Sequence, residues 1–185
     1  MEIITTEIND LAIIKPRVFF DERGYFFETY HQKKFLEQNL KTIFVQDNLS
    51  KSSYGVVRGL HFQSGCDAQA KLVTVLFGKV WDVAVDIRPN SPTFGQWRGV
   101  ELSDENHLQF FIPRGFAHGF SVLSETAIFS YKCDNFYNPA AENGISLFDN
   151  DLQIDWQVPV NQMIISEKDK THKSLKELND ISIAI

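Results

Sequence analysis

The chain has 185 residues, 43% of them hydrophobic and 23% charged, which is enough for one sizeable core and a single domain spanning 1–185. A formal net charge of −6 excludes a general nucleic-acid binder, and no apolar run approaches the roughly 18 residues of a membrane span. The acidic start MEIITTEIND lacks the layout of a signal peptide, and Cys66 and Cys133 stand in no redox or metal spacing, so a cytoplasmic protein with free thiols is expected.

Taken in chain order, strand signals dominate. AIIKPRVFF, GYFFETY, IFVQDNLSKS, GVVRGLHF, KLVTVLF, KVWDVAVDIR, GQWRGVEL, LQFFIP, GFSVL and TAIFSYKCD are short runs rich in β-branched and aromatic residues. Turn clusters such as DERG, SSYG, RPNSPTFG and PRG separate them. VTVLFGKVWDVAVDI alternates on both sides of Gly78-Lys79 and reads as a hairpin. Only HQKKFLEQN and SEKDKTHKSLKEL read as helices, the second with Ser166 as its N-cap and Asp169 at N3. The tail NDISIAI reads as a peripheral strand or loosely ordered end. Many short strands with helices only near the ends predict an all-β sandwich or jelly roll.

Several polar residues fall where a strand should be apolar. Counting by two, Lys71 shares a face with Val73, Val75 and Phe77. An amine there either snorkels to water or has its charge put to use. In VVRGLHFQ, strict alternation puts His61 with Val57 and Gly59, and turns Arg58 and Leu60 the other way. If Arg58 and His61 serve one pocket, the backbone near Gly59 must break the alternation, for example by a bulge. Tyr131 alternates with Phe129 and Cys133, so its ring points inward, as a core tyrosine or as a proton donor. His118, in IPRGFAHGF, reads as a structural histidine or a site residue. All six arginines lie between Arg17 and Arg114, and guanidinium forks suit phosphate or carboxylate. A cupin-type metal site would need a His-x-His pair, but His61 is followed by Phe62 and Gln63. His61 and His118 alone make a poor transition-metal site, so no metal is expected.

DERGYFFETY, VQDNLSKSSYGVVRGLHFQ, AQAKLV, DVAVDIRPNSPTFGQW, IPRGFAHGFSVLSETA, YKCDNFYNP and SEKDK follow one another in the order and spacing of one family. From about Ile3 to Leu178 the chain resembles the dTDP-4-dehydrorhamnose 3,5-epimerases. The resemblance implies a cupin-like jelly roll with a few short peripheral helices, working as a homodimer with no metal and no cofactor. It implies inversion of C3 and C5 of a dTDP-linked 4-keto-6-deoxyglucose, which gives dTDP-4-dehydro-L-rhamnose for rhamnose synthesis. The alternatives are a single-centre epimerase of a related 4-keto sugar and a non-catalytic nucleotide-sugar-binding jelly roll.

Carried over position by position, the resemblance makes His61 the base, Asp169 its partner, Tyr131 the proton donor and Lys71 a further catalytic group. Substrate contacts fall on Arg23, Glu28, Gln46, Asn48, Arg58, His118, Tyr137, Glu142 and Lys168. Two departures from the family pattern, the loop Ser64–Asp67 and Thr74, touch none of the acid–base set.

Overall fold

The computed structural model of the chain describes residues 1–178; the tail Asn179–Ile185, read above as a strand or loose end, lies outside the described residues. Two antiparallel sheets face each other. The first has six strands in the order β1 (Glu2–Thr5), β2 (Ala12–Lys15), β10 (Gln109–Ile112), β7 (Lys71–Phe77), β12 (Thr126–Cys133) and β5 (Gln46–Ser53). The second has five, in the order β13 (Glu142–Gly144), β6 (Val57–Gln63), β11 (Phe116–Val122), β8 (Lys79–Asp86) and β9 (Trp97–Ser103). β3 (Phe19–Asp21) and β4 (Gly24–Phe26) form a separate hairpin. This is the expected cupin-like jelly roll.

Alternation builds the layers. Val73 and Val75 of β7, Phe110 and Ile112 of β10 and Phe129 of β12 meet Val80, Ala84, Leu102, Phe116 and Phe120 of the other sheet in one buried cluster. Their partners in alternation cover the outer faces. Val57, Leu60, Val83 and Val85 lie under the irregular C-terminal third, against Ile145, Leu152, Trp156 and Leu175. Ile14, Leu72 and Phe111 lie under Phe35 of α1 (Gln32–Glu37).

Three readings of the sequence need correction. β7 and β8 are not a hairpin: they belong to different sheets, and the chain crosses between layers at Gly78. Gly78 has φ +77, and a Cβ there would lie 2.1 Å from the Thr126 carbonyl oxygen, so the crossover needs glycine. The alternation continues through the corner because both strands bury one face in the same core. The second helix is broken into a turn at Asp169–Thr171 and a short α2 (Leu175–Leu178). Ser166 Oγ does accept the Asp169 N–H at 3.1 Å, as a cap would, but the Asp169 carboxylate is drawn away to β6. Phe77 departs from the inner face of β7: the β7–β12 register shifts beside it, and it is 54% exposed.

Candidate active site

The sandwich is apolar at one end and polar at the other, and β5 explains why. Its inward positions are Gln46, Asn48, Ser50 and Ser52, none of which fills a hydrophobic core. A cavity of about 300 Å³ opens there, bounded by Gln46 and Asn48 of β5, His61 and Gln63 of β6, Lys71 of β7, and Tyr131 and Cys133 of β12. Tyr137 and Glu142 stand at its rim. A neighbouring hollow shares Asn48, His61, Lys71 and Tyr131 and adds Arg58 and His118.

The break expected near Gly59 is present. His118 pairs with His61 and Phe120 with Arg58, so two steps on β11 face three on β6. Gly59 sits in the bulge at φ +138, where a Cβ would lie 2.6 Å from the Gly119 Cα. The alternation is thereby reset: Leu60, not His61, joins Val57 in the outer cluster. Arg58 and His61 both face the cavities.

His61 is held by a distant segment. Its Nε2 lies 2.9 Å from Asp169 Oδ1, and Asp169 Oδ2 accepts the Gly59 N–H at 3.3 Å. Asp169 is buried, which works to raise its pKa. The hydrogen bond and charge of His61 and the Gly59 N–H outweigh that and hold the carboxyl below its ordinary range. With the carboxylate on Nε2–H, Nδ1 of His61 is the nitrogen left to accept a proton.

His118 has its own carboxylate. Its Nε2 is 3.0 Å from both oxygens of Asp82, which is fully buried. Burial pushes the imidazole pKa down, Asp82 opposes this, and the charges of Lys71 and His61 reinforce it. Burial likewise lowers the Lys71 ammonium, against the pull of Cys133, Asp82 and Glu142. Lys71 Nζ lies 5.7 Å from the centre of the Tyr131 ring. Burial raises the Tyr131 phenol, so it stays protonated as a donor.

Around the mouth, Arg58 donates from Nε at 3.3 Å and Nη2 at 3.2 Å to Ser52 Oγ, and lines the neighbouring hollow. Gln46 accepts the Tyr137 N–H at 3.0 Å and donates to Asn48 at 3.1 Å. Tyr137 donates to Glu142 at 2.5 Å, and Lys168 reaches the same carboxylate oxygen at 2.6 Å. The loop Ser64–Asp67 is pinned by Asn138, which donates to Asp67 at 2.9 Å.

Two expected contacts are not brought to the cavity within one chain. Arg23 sits on the β3–β4 hairpin, 85% exposed and paired with Asp21. Glu28 pairs with Lys34 beside α1, in a separate hollow. Two further neighbours, Asp82 and His172, are not among the expected site residues. Asp82 carried a signal, being a carboxylate inside the apolar run KVWDVAV that must find a partner. His172 carried none; its ring packs edge to face on His61 at 5.6 Å. His61, Asp169 and His172 each bring a ligating atom within 4.8 Å of the others, but the first two are already spent on one another.

An imidazole backed by a carboxylate, with an amine and a phenol across the same cavity, can remove a proton beside a carbonyl, steady the enolate and return a proton. That equipment, within this fold, defines an acid–base epimerase of the cupin-like class. The sequence profile of the dTDP-4-dehydrorhamnose 3,5-epimerases matches residues 5–177. A dTDP-4-dehydrorhamnose 3,5-epimerase of Methanothermobacter thermautotrophicus is 52% identical over 175 residues, 94% of either chain. The crystal structure of the enzyme from Elizabethkingia anophelis superposes with a TM-score of 0.93 at 60% identity, covering 97% of this chain and 98% of that one. The Legionella pneumophila 3,5-epimerase, solved with dTDP-4-keto-L-rhamnose, gives 0.95 at 50% identity, covering 99% and 97%.

The chain belongs to the dTDP-4-dehydrorhamnose 3,5-epimerase family. It is an isomerase that inverts C3 and C5 of dTDP-4-dehydro-6-deoxy-D-glucose to give dTDP-4-dehydro-L-rhamnose, in dTDP-L-rhamnose biosynthesis. Its ligand is a nucleotide sugar. No helix among the described residues is long and apolar enough to cross a membrane.

Proposed function

We propose that His61 is the base of the epimerisation, Asp169 its orienting partner, Lys71 the principal donor to the enolate oxygen and Tyr131 the acid on the opposite side. The observation that carries this reading is the His61–Asp169 hydrogen bond of 2.9 Å at the wall of a cavity that Lys71 and Tyr131 also line. A proton beside a ketone is weakly acidic, so a base alone achieves little. Negative charge grows on the carbonyl oxygen and needs a cation or donor aimed at it. Lys71 supplies that donor, while His118 gives its Nε2–H to Asp82 and lines the same hollow. His61 takes the proton on Nδ1 and becomes an imidazolium stabilised by Asp169. Inversion requires return from the other face, and Tyr131 is the protonated group available there.

Arg58 binds the diphosphate as a fork. Gln46, Asn48, Tyr137, Glu142 and Lys168 hold the nucleotide sugar at the mouth, which orients the reacting carbons.

The working unit is a homodimer. The β3–β4 hairpin exposes Phe20 (73%) and Phe26 (67%), and edge strand β5 exposes Leu49 (65%), an apolar surface suited to a second copy. Arg23 and Glu28 then meet substrate across the interface, in the partner's cavity. The unpaired thiols of Cys66 and Cys133 suit the reducing cytoplasm.

The test is Tyr131→Phe followed in D2O. Deuterium should still enter the substrate through His61, with retention, while inverted product is lost. Inversion at the wild-type rate would remove Tyr131 from the mechanism.

A further inference from the structure

Gln63 ends the motif that carries Arg58 and His61, and it stands outside both the acid–base set and the proposed substrate contacts. It is 8% exposed and lines the main cavity. Its Oε1 accepts the Asn138 N–H at 2.7 Å, which fixes the amide: an amine in that place would meet another donor. Its Nε2 is buried and finds no hydrogen-bond partner among the described residues. Burying an amide donor without an acceptor is costly, and such groups in native structures need a reason.

The side chain shares the inner face of β6 with His61, two residues earlier, and lies opposite Glu142 of β13. Glu142 is already engaged by Tyr137 and Lys168. We propose that Gln63 is a further substrate-positioning residue, whose Nε2 donates to an oxygen of the sugar–diphosphate portion of the bound nucleotide sugar. This rests on the cavity being the substrate site. The bond to Asn138 gives the amide a second effect, because Asn138 follows Tyr137. One side chain thus ties the loop bearing Tyr137 to the strand bearing the base.

Gln63→Glu separates the two effects. It keeps an oxygen for the Asn138 N–H and turns the donor into an acceptor that repels phosphate and hydroxyl oxygens. The expected result is a folded enzyme with KM raised at least about tenfold, the consequence of losing one such buried bond. Gln63→Met removes both functions and should lower the melting temperature as well. A folded Gln63→Glu enzyme that keeps KM and kcat within about twofold of wild type overturns the proposal, since a lost bond costs more.

Should Gln63→Glu fail to fold, the wild-type protein answers directly. Its Gln63 side-chain amide resonances should shift on saturation with dTDP-glucose, together with those of the His61 ring. A shift at His61 without one at Gln63 overturns this inference alone; no shift at either overturns it along with the cavity assignment.

Discussion

His61 and Asp169 stand 108 positions apart in the chain, yet Nε2 and Oδ1 are 2.9 Å apart. The bond ties β6 to the C-terminal segment, and the two oxygens of Asp169 divide between the imidazole and the N–H of the bulge residue Gly59. The proposed base and the backbone irregularity that presents it therefore share one anchor.

Asp169→Asn should lower kcat by about 10²–10⁴, with KM little changed, because the amide favours the wrong imidazole tautomer and cannot stabilise the imidazolium. Stability follows from the sign of the shift. The folded pKa of Asp169 lies below its ordinary value. Its contribution is therefore present above the unfolded pKa and is lost as pH falls through the folded one. The melting-temperature gap between wild type and Asp169→Asn should be wide at pH 7 and close in acid. A gap constant across that range would contradict the assignment.

Lys71→Ala should reduce kcat by about 10²–10³, the cost of removing one donor from a developing oxyanion, while dTDP binds nearly as before. Calorimetry with dTDP, set against steady-state rates, separates the two. Equal losses of binding and turnover would show that Lys71 only grips the ligand.

Gly59→Ala should destabilise the protein by more than about 1 kcal/mol, because no L side chain sits easily at φ +138 and the Cβ would press on Gly119. Thermal melts check this. The same change should impair turnover, since Arg58 and His61 reach one cavity only through the bulge. A variant as stable and as active as wild type would show that the bulge does not depend on glycine.

Phe20→Asp together with Phe26→Asp should yield a monomer by sedimentation, because two carboxylates would be buried unpaired in the proposed interface. Mixed dimers of His61→Ala and Arg23→Ala chains should recover activity that neither parent has, since one of their two sites is intact. No recovery would mean that Arg23 does not serve the partner's cavity.

Much of the architecture was legible because each strand is short, bounded by turn residues and alternating. Where the reading failed, local pattern had no access to what decides the outcome. Alternation through Gly78 looks the same for a hairpin and for a strand that changes sheet, and only the long-range pairing, β7 with β10 and β12 but β8 with β11 and β9, distinguishes them. Lys71, His61 and Tyr131 each had a structural alternative when taken alone, and family spacing was needed to group them. The demand placed on Gly59 was legible, since two side chains on opposite faces cannot serve one pocket without a bulge. Asp82 could have been found as a carboxylate in an apolar strand. His172 could not, because its place against His61 is set by the path of an irregular segment.

The most direct test of the central claim is proton exchange in D2O with dTDP-4-keto-6-deoxyglucose, read by proton NMR. Wild type should place deuterium at both C3 and C5 while forming the inverted sugar, and His61→Ala should place it at neither. Exchange by His61→Ala at the wild-type rate would contradict the assignment of His61 as the base.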